Sequence, residues 1–100
     1  MVMNIERSSG NVFQDLGFRP QEAESLRLRA QLMAELRRAI QTRKLTQNSA
    51  AKLFGVTQPR ISDLVRGKID LFSIETLVDM LTCAGIRVQL RLLPTRRQAA

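Results

Sequence analysis

Thr46-Gln47-Asn48-Ser49-Ala50-Ala51-Lys52-Leu53-Phe54-Gly55-Val56-Thr57-Gln58-Pro59-Arg60-Ile61-Ser62-Asp63-Leu64-Val65-Arg66-Gly67 spells two short helices around a tight turn. Thr46 offers a side-chain oxygen to cap the first helix, which runs through Ala50, Ala51, Leu53 and Phe54. Gly55 supplies the positive φ at which the chain reverses, and Gly55-Val56-Thr57 forms the turn. Thr57 is placed to cap the second helix. Pro59 falls in its first turn, where a missing N–H costs little, and Gly67 ends it. Ala51 lies four residues before the turn glycine, where closely crossing helices leave room only for a small side chain. Ile61 and Leu64 follow at the spacing of an inward face. The pattern is that of a helix-turn-helix.

The flanks fit around this unit. From Gln21 to Lys44 the sequence has neither Gly nor Pro. Glu22 and Glu24 lie early and Arg37, Arg38, Arg43 and Lys44 late, a polarity that suits the helix dipole. One long helix, or two joined by a small kink, is expected. Leu32, Met33, Leu36 and Ile40 form its buried stripe, with Arg37, Arg38 and Gln41 largely turned away. After the motif, Ser73 caps a helix from Ile74 to Ala84, with Glu75 in the first turn and Gly85 past the end. Its inward stripe is Ile74, Leu77, Val78 and Leu81, which sets Cys83 on the opposite side.

Ile86, Val88, Leu90 and Leu92 then alternate with Arg87, Gln89 and Arg91, the period of a half-buried strand. One strand cannot satisfy its own backbone, so it needs a short piece near the N-terminus or the same strand of a second copy. The sequence-based expectation is pairing across a homodimer. Residues 1 to 20, with Ser8, Ser9, Gly10, Gly17 and Pro20 among scattered apolar residues, read as an irregular arm. Its Val12, Phe13, Leu16 and Phe18 are expected to dock, on this domain or on a partner. The division is therefore an arm over 1–20, a helix-turn-helix domain with its C-terminal strand over 21–93, and a flexible tail over 94–100. The fold class is mainly α, a bundle of about four or five helices and one C-terminal strand.

Composition narrows the function. One hundred residues suit one hydrophobic core. Sixteen Lys and Arg against nine Asp and Glu give a net charge of +7, which favours phosphate backbones or acidic protein surfaces. The four aromatics are all Phe and widely spaced, which argues against a base-stacking platform. With no His and a single Cys, the sequence offers no catalytic pair, no intrachain disulfide, no metal-ligand spacing and no cofactor motif. An enzyme is not expected. The first residues lack the apolar core of a signal peptide, and no run approaches the roughly 18 apolar residues of a membrane span. A reducing cytoplasm is the expected location.

Leu45-Thr46-Gln47, Ala50-Ala51, Leu53-Phe54-Gly55-Val56, Gln58-Pro59-Arg60-Ile61-Ser62 and Gly67 resemble the XRE family of phage-type repressors, over roughly residues 36 to 82. Within that family, Ser9-Gly10-Asn11-Val12-Phe13, Leu16-Gly17, the long helix, Phe72-Ser73 and the C-terminal strand resemble the small antitoxins of the HigA type. That resemblance implies neutralisation of a RelE/HigB-like mRNA-cleaving toxin and repression of the chain's own operon. A stand-alone XRE regulator without a toxin partner is the alternative.

In such a fold the second motif helix enters the major groove and its N-terminal residues meet base edges. Gln58 can bond adenine N6 and N7, and Pro59 can meet a thymine methyl. Ser62 also faces the bases, and Asp63 can accept from cytosine N4 or orient a neighbouring Arg. Arg60 and Arg66 stand beside them. Gln47 is where XRE-like repressors grip a phosphate, and Arg43, Lys44, Thr57, Arg66 and Lys68 are further phosphate candidates. A symmetric dimer would set two such helices about 34 Å apart on an inverted-repeat operator of double-stranded DNA. The toxin surface is expected on Val12, Phe13, Leu16 and Phe18 with the exposed face of the long helix.

Overall fold

A computed structural model describes residues 2–5 and 12–94. The chain runs β1 (Val2–Ile5), α1 (Val12–Asp15), α2 (Pro20–Thr42), α3 (Gln47–Phe54), α4 (Gln58–Val65), a 3-10 turn (Ile69–Leu71), α5 (Ile74–Cys83) and β2 (Arg87–Leu90). It is the expected mainly helical bundle with a C-terminal strand. The long helix is one uninterrupted element of 23 residues, with Pro20 at its start where no amide is needed.

The core lies between α2, α3, α4 and α5. Leu32, Met33 and Leu36 of α2 meet Ala50, Ala51 and Phe54 of α3, Ile61 and Leu64 of α4, Phe72, and Leu77, Met80 and Leu81 of α5, with Ile86 closing one end. Ala51 is buried at the crossing, as its size requires. Met80 is a core residue that the stripe read from Ile74, Leu77, Val78 and Leu81 leaves out, while Ile74 and Val78 are only partly buried. The wheel is turned slightly from the sequence reading, and the polarisable thioether fills the gap this leaves.

Three of the turns after these helices use glycine at positive φ: Gly55 at 71° and Gly67 at 74° lead on from α3 and α4, and Gly85 at 79° turns α5 into β2. A fourth, at the end of α2, puts Lys44 there at 53°, the one described non-glycine in that region. Leu45 N–H returns to the Ile40 carbonyl at 3.0 Å and Lys44 N–H to Gln41 at 3.1 Å, so the last carbonyls of α2 are satisfied by a left-handed cap.

The N-terminal and C-terminal flanks differ from the sequence reading. The arm is ordered where it is described. Val2–Ile5 is a strand, and Val12–Asp15 is a helical turn packed on α2. Phe13 and Phe18 stack edge to face with centroids 6.3 Å apart, which ties the turn together. Docking is partial, since Phe13 is half-buried while Val12 and Leu16 stay exposed. Ala23 and Leu26, in the first two turns of α2, are buried apart from the main cluster.

The partner of the C-terminal strand is within the chain. β1 and β2 pair in parallel, Val2 opposite Arg87 through Ile5 opposite Leu90. This is the other of the two partners the sequence allows, a piece near the N-terminus where pairing across a homodimer was expected: the N-terminal segment supplies a hydrogen-bonding edge that β2 needs. The half-buried alternation also fades along the strand. Ile86 is buried and Val88 half-buried, but Leu90 and Leu92 are 67% and 92% exposed. The expected tail begins at Pro94, and its residues 95–100 lie outside the described ones.

Candidate nucleic-acid interface

α3 opens with a reciprocal cap. Thr46 Oγ1 accepts from the Ser49 amide at 3.0 Å, and Ser49 Oγ accepts from the Thr46 amide at 2.9 Å. The sequence reading found Thr46 and missed Ser49, although a serine three residues after the cap is a visible if weaker form of the usual Glu or Gln. The cap leaves Gln47 and Asn48 exposed on the first turn of α3, directly after exposed Arg43 and Lys44.

Gly55 is needed twice over. Its φ of 71° is strained for any side chain, and a Cβ there would stand 3.1 Å from Cys83 Sγ. Val56 N–H closes back onto the Ala51 carbonyl at 3.0 Å. The exposed thiol of Cys83, on the outer side of α5 as the helical wheel predicts, therefore sits against the turn between the two motif helices.

Thr57 holds the cap position of α4 in extended conformation, but its side chain makes no capping bond. The reason is in the sequence. Pro59 has no N–H to give, and the Arg60 amide goes to the Thr57 carbonyl at 3.1 Å. A hydroxyl unused by the fold is thus left beside exposed Gln58 and Pro59. Ile61 and Leu64 are fully buried. They fix the roll of α4, so that its first turn faces outward while Ser62 and Asp63 lie half-exposed along its flank.

The remaining candidates divide. Arg66 and Lys68 are exposed at the end of α4. Lys68 Nζ is 3.8 Å from Asp63 Oδ1, so this lysine, and not an arginine, is the cation beside Asp63. Arg60 is half-buried and lies back against the segment after α4. Its guanidinium lies 4.5 Å from the centroid of the Phe72 ring and donates to the Leu71 carbonyl at 3.0 Å. Two arginines of α2 reach the same region. Arg29 Nη1 is 3.3 Å from the Ile69 carbonyl, and Arg37 Nη1 would touch a Cβ on Gly67 at 3.4 Å, at the negative end of α4.

The sequence reading turned Arg37 outward and did not single out Arg29. A signal existed for Arg29, which stands three and four residues before Leu32 and Met33, on the buried stripe itself. At that position its part-buried guanidinium meets the Ile69 and Phe72 carbonyls at 3.3 and 3.5 Å.

Among the described residues, no group of three or more His, Cys, Asp or Glu could hold a metal, and no helix is long and apolar enough to cross a membrane.

The sequence profile of the family described as "Helix-turn-helix domain" matches residues 12–92. A solved structure provisionally named an XRE family transcriptional regulator superposes with a TM-score of 0.69 at 29% identity, covering 79% of this chain and 89% of that one. No protein of curated function matches the sequence.

Proposed function

Because the chain belongs to the helix-turn-helix domain family, we propose that it is a sequence-specific DNA-binding transcriptional repressor whose α4 enters the major groove. The observation that carries this reading is the first turn of α4. Gln58 and Pro59 project outward from a helix whose roll is fixed by fully buried Ile61 and Leu64, next to an uncommitted Thr57 hydroxyl. Gln58 then reads adenine, Pro59 meets a thymine methyl, and Ser62 and Asp63 lie along the groove. Gln47, Thr57, Arg66 and Lys68, with Arg43 and Lys44, hold the phosphates and fix the register of docking.

The operator is an inverted repeat bound by a homodimer. Two features favour a dimer through β2. The described sheet has only two strands, so among the described residues one edge of β2 carries no partner strand, and Leu90 and Leu92 are exposed beside it. A second copy pairing there would extend the sheet and cover the leucines. Loss of residues 86–100 should then weaken operator binding more than loss of one base contact does.

The repressor further acts as the antitoxin of a RelE/HigB-like mRNA-cleaving toxin. This rests on the resemblance of its flanks to HigA-type antitoxins, and it is supported by apolar surface outside the motif: Val12, Leu16 and Phe18 are 60%, 70% and 39% exposed. A toxin would cover them.

Mobility shift on the DNA upstream of the gene, at two salt concentrations, tests the repressor. Tight, salt-sensitive binding beyond that to unrelated duplex is expected, and equal binding to both would refute it. Co-purification of a small basic protein, lost on removing residues 1–20, tests the antitoxin; purification without any such partner would leave a stand-alone regulator.

A further inference from the structure

We propose that Arg60 is a positioning residue. It fastens the recognition helix to the segment behind it and takes no part in reading or gripping DNA, a role that deepens the DNA-binding reading and rests on it.

The 3-10 turn after α4 is too short to satisfy itself. Leu71 N–H reaches the Lys68 carbonyl and Phe72 N–H the Ile69 carbonyl, and the chain then extends into Ser73. Carbonyls at such an end need outside donors. Two guanidinium groups supply them from two helices. Arg29 of α2 points Nη1 at the Ile69 and Phe72 carbonyls, at 3.3 and 3.5 Å. Arg60 of α4 donates to the Leu71 carbonyl at 3.0 Å while lying over the Phe72 ring.

Phe72 is 1% exposed and belongs to the core, so the surface on which Arg60 rests is fixed. α4 is therefore anchored on two sides of its first turns, by Ile61 inside the core and by Arg60 along the turn. This anchoring sets the direction in which Gln58 and Ser62 project, and it holds Lys68 at the start of the turn. A guanidinium suits both tasks better than an ammonium, because its planar, weakly hydrated group can lie over the ring and still donate to the carbonyl, whereas an ammonium is a compact, strongly hydrated point charge.

The test compares Arg60→Lys, Arg60→Ala, Phe72→Leu and the Arg60→Lys, Phe72→Leu double variant of the full chain on operator and on unrelated duplex across a salt series. Arg60→Lys keeps the charge and loses the clamp. It is expected to weaken operator binding about tenfold with the salt slope unchanged, whereas Lys68→Ala lowers the slope by about 0.9, one phosphate contact. Phe72→Leu removes the π face, and Arg60→Lys should add little on top of it.

Rescue by Arg60→Lys, or a slope lowered by about one contact in Arg60→Ala, would overturn the proposal in favour of a phosphate grip. Without DNA, the Arg60 side-chain protons should show a ring-current shift that Phe72→Leu abolishes; no shift in the parent would overturn the clamp even if DNA binding were normal. A shift in a parent that binds all duplexes alike would instead bring down the DNA-binding reading, and the positioning role with it.

Discussion

Replacing Gly55 with alanine isolates the two demands made at the turn of the motif. The backbone demand is a φ of 71°, a region that costs a side-chain-bearing residue about 1–2 kcal/mol. The steric demand is the Cys83 thiol, 3.1 Å from the new methyl. A thiol is the free end of a short side chain on an exposed helix face, so it can yield by a few tenths of an ångström, at about 0.5–1 kcal/mol if its rotamer is pushed off its minimum. Gly55→Ala should thus cost about 1.5–3 kcal/mol, or a fall in Tm on the order of 10 °C at about 4–8 °C per kcal/mol for a domain of this size.

Gly85 provides the control. Its φ is 79°, and nothing lies within 4 Å of the position its Cβ would take, so Gly85→Ala should carry the backbone cost alone. Calorimetry or thermal circular dichroism of Gly55→Ala, Gly85→Ala, Cys83→Ala and the Gly55→Ala, Cys83→Ala double variant completes the comparison. Removing the thiol should return about 0.5–1 kcal/mol to Gly55→Ala and change the parent little. Equal losses at the two glycines, with no recovery in the double variant, would refute the steric part of the reasoning. A neutral Gly55→Ala would refute both parts.

Further outcomes follow from the same geometry. Lys44 carries a positive φ of 53° that glycine would adopt without strain, so Lys44→Gly should raise stability by about 0.5–1 kcal/mol in chemical denaturation. The same change should weaken DNA binding and lower its salt slope, the sign of a strained residue kept for contact. Thr46→Ala removes a working cap and should cost about 1 kcal/mol. Thr57→Ala removes a hydroxyl that makes no cap bond; it should leave Tm nearly unchanged and weaken DNA binding. Leu90→Lys with Leu92→Lys alters two exposed residues, so the fold should survive while light scattering moves from a two-chain to a one-chain mass.

The motif was legible because its signals are local. Thr46, Gly55, Pro59 and Gly67 each impose a backbone state within one or two residues, and Ala51, Ile61 and Leu64 follow from helical period alone. What sequence could not deliver depends on residues far apart in the chain. The pairing of β1 with β2 joins residues some eighty-five positions apart, and no pattern in Val2–Ile5 distinguishes it from an irregular arm. Arg29 shows its place on the buried stripe but not its partners, and Arg60 reads as a DNA contact, until the 3-10 turn brings carbonyls and the Phe72 ring beside them. Thr57 shows the opposite limit: the cap position was readable, but whether the cap bond forms depended on Pro59 two residues on.

The most direct test of the central claim is equilibrium binding of the parent and of Gln58→Ala to a panel of operators in which each base pair of the half-site is changed in turn. If α4 reads base edges through Gln58, the variant loses about 1–3 kcal/mol on the parent operator and becomes indifferent at one position per half-site, while its salt slope is unchanged. If the variant keeps the parent's full pattern of preference, α4 is not the element that reads the DNA.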